Sequence, residues 1–500
     1  MNSSNIIKKI WSYSHVLRDA GVSYGDYLEQ LTYLIFLKMA HEYSQPPYNQ
    51  SLAIPPQYAW PELRKRRGAE LERFYVELLR ELGREKGMLG QIFTKSQNKI
   101  QDPAMLYKVI HMIDEEQWAM MGVDVKGEIY EGLLAKNAED VKSGAGQYFT
   151  PRPLIRAMVQ CVRPDPGKTI ADPACGTGGF FLAAYEFISN TYRLNKAQKE
   201  FLKYRTFHGN EIVANTRRLA LMNMLLHGIG DINSDPTISP TDALIAPPDQ
   251  TFDIVLTNPP FGKKSSITVT NDEGKAQKED FTYNRQDFWV TTSNKQLNFV
   301  QHVRVMLKTT GRAAVVVPDN VLFEGGAGEV VRRKLLETTD LHTILRLPTG
   351  VFYAQGVKAN VLFFDNRPAA KDPQTQAIWF YDYRTNVHHT LKKKPLRLED
   401  LSEFIELYTP ENRHQRRENW DAESNPAGRW RKFTYDEIMA RDKASLDIFW
   451  LRDQSLTDLD NLPDPDILAL EIIDSIEAAL EDFRAVAAAL DQPGRPGSTT

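Results

Sequence analysis

An α/β fold preceded by an all-helical N-terminal domain is what this sequence predicts, and three observations predict it. From Asn5 to about Glu139, Leu28, Leu31, Leu34, Ile35 and Met39 recur at steps of three and four, and a similar pattern runs from Phe74 to Leu82. That is the spacing of one helix face. Further on, Thr169–Asp172, Thr206–Glu211, Phe252–Leu256, Arg312–Val317, Leu341–Leu347 and Asn360–Asp365 are short apolar runs set between helical patterns. Alternation of this kind implies parallel strands joined by helical crossovers. The third observation is a glycine-rich turn that follows the first of these runs and opens a helix.

The elements divide the chain into a helical N-terminal domain (1–141), an α/β domain (142–380), a mixed C-terminal region (381–455) and a C-terminal helical tail (456–500). Pro46, Pro47, Pro55 and Pro56 break the first with a loop, and Lys142-Ser143-Gly144-Ala145-Gly146 is a flexible junction. Ala214–His227 is a helix with Leu219, Met222 and Leu226 on one face and Gly228 placed to cap its end. Between Pro465 and Pro493, Ile473, Ile476, Leu480, Phe483, Ala487 and Leu490 step by three and four. This is either the seam of a coiled coil with a partner or an amphipathic helix packed on its own domain. Asp491–Thr500 reads as a disordered end.

The composition fits a folded protein with room for several cores. The 500 residues are 42% hydrophobic and 25% charged, with 29 Gly and 28 Pro. A formal charge of −4 excludes a surface that is basic throughout, so any contact with nucleic acid must come from a local patch or a partner. Cys161 and Cys175 are too few for a disulfide framework or a cysteine-rich metal site, and no metal is expected. Met1–Ala20 lacks the apolar run of a signal peptide, and no segment approaches the ~20 apolar residues of a membrane span. A cytoplasmic protein is expected.

Two motifs carry chemistry. Asp172-Pro173-Ala174-Cys175-Gly176-Thr177-Gly178-Gly179-Phe180 lies between strand and helix. Its small residues let a ligand approach the backbone at the carboxyl edge of the sheet, where doubly wound folds bind nucleotides, although a plain strand-to-helix turn has the same composition. The glycines are spaced wrongly for a dinucleotide fingerprint, and Gly167-Lys168-Thr169 lacks the upstream glycine of a P-loop, Val162 standing there. Asn258-Pro259-Pro260-Phe261 directly follows the run Phe252–Leu256. Asn258 offers a side-chain carbonyl, Pro259 a backbone carbonyl on a rigid loop and Phe261 a face for a base; the alternative is a Pro-Pro turn with an ordinary core Phe. Two acceptors on one exocyclic amine pull its nitrogen towards tetrahedral geometry and restore its lone pair.

The first motif resembles the cofactor loop of amino-methyltransferases, and the second resembles their catalytic tetrapeptide. Upstream, Gly146-Gln147-Tyr148-Phe149-Thr150-Pro151-Arg152 resembles the remaining cofactor motif. In the gamma class of adenine-N6 methyltransferases that motif precedes the glycine loop, as here. The chain is most similar to the modification subunit of type I restriction-modification systems, over nearly its whole length, including Leu31–Met39 and Ser293–Phe299.

The resemblance implies a Rossmann-like methyltransferase domain over 142–380 that uses S-adenosyl-L-methionine to methylate the N6 amino group of adenine in specific DNA sequences, so protecting host DNA. It implies catalytic roles for Asn258, Pro259, Pro260 and Phe261. Cofactor binding falls to Gln147, Tyr148, Phe149, Thr150, Pro151, Arg152, Asp172, Ala174, Gly176, Thr177, Gly178, Gly179, Glu211 and Asp242. Glu211, at a strand end, suits two ribose hydroxyls, or serves as an acid at the start of the Ala214 helix. Asp242 contacts the cofactor's adenine or forms a turn. Thr150 to Pro153 belongs to the cofactor motif or caps the helix Leu154–Cys161.

Gly262–Gln296 reads as a long polar loop, in which Lys263, Lys264, Arg285 and Lys295 interleave with Phe281, Tyr283, Phe288 and Trp289. Such a loop after the tetrapeptide is expected to hold DNA through Lys263, Lys264, Arg285, Trp289 and Lys295, or to be a mobile surface loop. The implied partners are double-stranded DNA with a flipped adenine, a specificity subunit and a second modification subunit, with a restriction subunit left open and no membrane.

Two other functions compete. Protein glutamine methyltransferases also use an Asn-Pro-Pro-aromatic tetrapeptide, but resemble a shorter chain ending it in Tyr rather than Phe261. A non-catalytic assembly subunit would not need both Asn258 and an intact glycine loop. The lack of a P-loop argues against a translocase.

Overall fold

A computed structural model describes residues 21–49, 54–120, 150–231, 234–262, 266–270, 276–280, 282–352, 357–390 and 394–453, with single positions beyond them. The chain forms two compact units, Met1–Ala145 with Pro164–Asp242, and Gly146–Arg163 with Ala243–Thr500.

In the first unit the helices Tyr24–Ser44, Trp60–Lys65, Gly68–Leu82, Gly87–Phe93 and Pro103–Asp114 come from the N-terminal segment. Local chemistry starts them. The Ser23 side chain accepts from the Asp26 N–H, and Asp102 accepts from Ala104 N–H just before Pro103. Leu71, Tyr75, Leu78, Leu79 and Leu82 form the buried stripe of Gly68–Leu82. The same unit holds strands β1 (Ile170–Asp172), β2 (Phe207–Asn210) and β3 (Ile238–Ser239), parallel and adjacent in that order. Helix Gly179–Thr191 leaves β1, and helix Ala214–Leu226 follows β2.

The helical segment and these strands share one unit because charge is buried between them. Arg218 is 3% exposed; its guanidinium gives Nη1–H to Glu29 Oε1 at 2.6 Å and Nη2–H to the Thr94 carbonyl at 2.7 Å. Arg217 donates to Gln91 Oε1 and to the Ile238 carbonyl, both at 2.7 Å. The division therefore cuts through the stretch 142–380 that periodicity reads as one domain.

The second unit contains helix Arg152–Val162 and the strands β4 (Phe252–Thr257), β5 (Ser266–Thr270), β6 (Ala276–Asp280), β7 (Leu307–Pro318), β8 (Thr339–Leu347), β9 (Ala359–Asn366), β10 (Ala377–Asp382) and β11 (Trp430–Thr434). Its main strands lie in the order β11-β10-β8-β9-β7-β4. β4 and β7 are parallel, as are β8 and β10, but β9 runs antiparallel to both β7 and β8, and β11 antiparallel to β10. The expectation of an all-parallel sheet is corrected here. A parallel link needs a crossover of a dozen or more residues, usually a helix, and 348–358 between β8 and β9 holds no helix among the described residues.

The reading of Gly262–Gln296 as structureless is also corrected. β5 and β6 pair as an antiparallel hairpin within it, and Lys295 and Gln296 open helix Lys295–Met306. β10 and β11 are not among the apolar runs that read as strands. Their pairing is supported by Trp379 stacked on Trp430, with ring centroids 5.3 Å apart. Of the C-terminal seam, Ile473, Ile476 and Leu480 are exposed, while Phe483, Ala487 and Leu490 lie outside the described residues.

Candidate functional site

In the first unit, the glycine loop and Glu211 form one structure. β1 ends in the buried Asp172, whose Oδ1 accepts the Ala174 N–H at 3.0 Å and turns the chain. Gly176 and Gly178 both sit at positive φ, +54° and +81°, where a side chain would be strained. A Cβ on Gly176 would meet nothing within 4 Å among the described residues, so the backbone there is open to approach. Gly178 is the N-cap of helix Gly179–Thr191, and no side chain caps that helix. Its first N–H groups carry the partial positive charge of a helix N-terminus. The Asn223 amide holds the loop from behind, donating to the Thr177 carbonyl at 3.0 Å.

Glu211 follows β2, and its two carboxylate oxygens take separate donors. Oε2 accepts the Gly176 N–H at 3.1 Å and Oε1 the Val213 N–H at 2.8 Å. Burial pushes the carboxyl up from the ordinary range, while the N–H groups of Val213, Gly176 and Ile212 pull it back. Glu211 thus steadies the start of helix Ala214–Leu226, one of the two roles expected of it, and bonds the glycine loop at Gly176. Asp242 follows the Ser239–Thr241 turn past β3, where Ser239 Oγ and Thr241 Oγ1 lie 2.8 Å apart.

The tetrapeptide belongs to the second unit. Asn258 follows β4 directly, and Nδ2 donates to Thr150 Oγ1 at 2.8 Å. Asn258 Oδ1 is buried and accepts no hydrogen bond from any described residue. Pro259 is buried, and the half-buried Phe261 meets Phe352 edge-to-face with centroids 5.7 Å apart. Pro151 is the N-cap of helix Arg152–Val162 and Arg152 its first residue. Gln147, Tyr148, Phe149, Lys263 and Lys264 lie outside the described residues.

Arg285 departs from the expectation of a DNA contact. It is 6% exposed, pairs with Asp287 through Nε–H at 2.9 Å, donates Nη1–H to His302 Nδ1 at 2.9 Å and lies over the Phe288 ring. Burial, and then the Arg285 charge, push His302 down to about 3, so the imidazole stays neutral and accepts that bond. A loop arginine reads as a phosphate contact only while its neighbours are unknown. Trp289 is half-buried, with the Arg304 guanidinium 5.8 Å from its ring centre. Lys295 is half-buried at the start of a helix capped by Asn294, which accepts from Gln296 N–H and Leu297 N–H.

Thr150 as the partner of Asn258, Asn223 behind the loop, and Gly209 were not legible in advance. A Cβ on Gly209 would come within 3.0 Å of Cys175 Sγ. The only signal for Asn223 was a polar residue between Met222 and Met224, which names no partner.

The first unit carries a strand-end glycine loop with a facing carboxylate, and the second an Asn-Pro-Pro-Phe turn whose Asn258 Oδ1 accepts from no described residue. The class, an amino-methylating enzyme, comes from the family match. The N-6 DNA methylase family matches residues 121–445, the HsdM N-terminal domain family matches residues 6–113, and the chain belongs to the N-6 DNA methylases. It is 39% identical to the type I restriction enzyme EcoKI methylase subunit of Escherichia coli K12, over 97% of this chain and 95% of that protein. It is 31% identical to the EcoEI methylase subunit of Escherichia coli, over 88% and 89%. Among solved structures it is similar to the EcoKI M protein, with 35% identity, a TM-score of 0.53 and coverage of 98% and 96%. It shares its fold with a type I methyltransferase subunit from Streptococcus thermophilus, at 20% identity, a TM-score of 0.69 and coverage of 89% and 98%.

Proposed function

We propose that this chain is the modification subunit of a type I restriction-modification system, transferring a methyl group from S-adenosylmethionine to adenine N6 in DNA. The observation that carries the reading is the Asn258 amide: one end is tied to Thr150 and the other is a buried acceptor with no described donor. A buried carbonyl left without a donor is costly unless something supplies one, and an exocyclic amine does.

S-adenosylmethionine, when bound, supplies an electrophilic methyl sulfonium. The residues present suit it: Glu211 has acceptor capacity for two ribose hydroxyls, and the open backbone at Gly176 with Thr177, Gly178 and Gly179 admits a close ligand. Asn258 Oδ1 and the Pro259 carbonyl accept the two amine protons, restoring the nitrogen lone pair, while Phe261 gives the base a face to stack on. Lys263, Lys264, Trp289 and Lys295 remain the DNA contacts proposed for the segment after the tetrapeptide.

The EcoKI and EcoEI proteins are named as methylase subunits of type I restriction enzymes. By that likeness this chain works in the cytoplasm as one of two modification subunits on a specificity subunit that selects the DNA site. No helix among the described residues is long and apolar enough to cross a membrane.

Asn258→Ala tests the reading. Turnover of labelled S-adenosylmethionine on cognate DNA is expected to fall about 100–1,000-fold, with cofactor affinity nearly intact. Wild-type turnover in the variant, or methylcytosine as product, overturns it.

A further inference from the structure

Thr150 lies one residue ahead of Pro151, the N-cap of helix Arg152–Val162, and no side-chain cap is made there among the described residues. The hydroxyl is used elsewhere: Thr150 Oγ1 accepts the Asn258 Nδ2–H at 2.8 Å. An asparagine amide has a donor end and an acceptor end of nearly the same shape. Here the Thr150 hydroxyl anchors the NH2 end, which leaves Oδ1, accepting from no described residue, as the end available to a substrate.

We propose that Thr150 is the positioning residue of the Asn258 amide, fixing the NH2 end so that the carbonyl end faces the target amine. This rests on the methyltransferase reading and assigns Thr150 a role distinct from the cofactor contact that its motif implies. An amide free to turn would present its own N–H groups to the amine, donor against donor, in that fraction of molecules. The tether costs the reaction nothing at the moment of transfer because it is already made in the free protein.

The experiment compares the full-length wild type, Thr150→Val and Thr150→Ser, assembled with a specificity subunit. Kcat for methyl transfer, S-adenosylmethionine affinity by calorimetry, the melting temperature and crystal structures are measured for each. Valine keeps the shape of threonine and removes the hydroxyl; serine keeps the hydroxyl. Thr150→Val is expected to lower kcat about 10–100-fold with cofactor affinity changed less than about twofold, and Thr150→Ser to recover most of the loss. The Asn258→Ala background should cancel the effect, because a positioning residue has nothing left to position. In the Thr150→Val crystal structure the Asn258 side chain should be displaced or split between two rotamers.

Unchanged kcat in Thr150→Val, a parallel loss of cofactor affinity, or an Asn258 amide held as before each overturns the proposal. Failure of the wild type to methylate adenine would instead defeat the functional reading, and the crystal structures would still decide the tether.

Discussion

Asn258 and Arg285 lie close in sequence, both polar and both beside a turn, yet the structure gives them opposite fates. Asn258 keeps an acceptor without a described donor, while Arg285 shares its protons among Asp287, His302 and the Leu244 carbonyl. Burial with partners makes Arg285 part of the fold, whereas Asn258 keeps a spare acceptor, as Asn223 Oδ1 and Asn366 Oδ1 also do, and its place in the Asn-Pro-Pro-Phe turn is what sets it apart. Glu211 carries the prediction at this scale. Replacing it with Gln removes the charge that ribose hydroxyls would donate to, and S-adenosylmethionine affinity is expected to fall about tenfold or more by calorimetry, since hydrogen bonds to charged groups contribute about 1.5–3 kcal/mol. Burial raises the Glu211 pKa from its ordinary value, against the backbone N–H groups that lower it. The carboxylate is the binding form, so affinity is full above that raised value and declines as pH falls through it. Glu211→Gln should lack that decline, and an equal decline in both proteins would refute the assignment.

At the scale of elements, helix Ala214–Leu226 shows how a surface-like sequence becomes interior. Its periodicity puts Leu219, Met222 and Leu226 on one face; Met222 and Leu226 are buried and Leu219 half-buried, but Arg217 and Arg218 are buried as well. Arg218 pairs with Glu29, 6% exposed, on helix Tyr24–Ser44, and Glu29 also accepts from Tyr33 Oη–H. Breaking one side of a buried pair strands the other charge, which typically costs about 3–5 kcal/mol. Arg218→Met is expected to lose stability of that order in urea unfolding, and adding Glu29→Gln to restore part of it because no uncompensated charge remains. A loss below about 1 kcal/mol in the single variant would mean the pair is solvated. The sheet makes the same point about direction. β8 and β9 both read as strands, but period-two patterning carries no sign, and the short connection between them decided that they are antiparallel.

For the whole molecule, the net charge of −4 leaves little diffuse attraction for phosphates. DNA affinity is then expected to depend on a partner, and the C-terminal seam is where one would dock, since Ile473, Ile476 and Leu480 are 49%, 61% and 46% exposed. Deleting Leu470–Thr500 should abolish co-purification with a specificity subunit while leaving S-adenosylmethionine binding unchanged. Assembly that survives the deletion removes the docking role, and lost cofactor binding would mean the segment packs on its own chain.

What the sequence determined by itself was local: the strand-end motifs, the helix periods, the glycines at Gly176 and Gly178 and the family they point to. These depend on backbone torsions and side-chain chemistry within a few residues, and such information is complete in a short window. Only the tertiary structure decided that Thr150 holds Asn258, 108 positions away, and that Arg218 reaches Glu29, 189 positions away. It also decided that Arg285 is interior and that β9 reverses. Each of those outcomes turns on which distant groups meet once water is excluded. A hydroxyl, a guanidinium or a strand has the same composition whether it meets solvent, substrate or its own core.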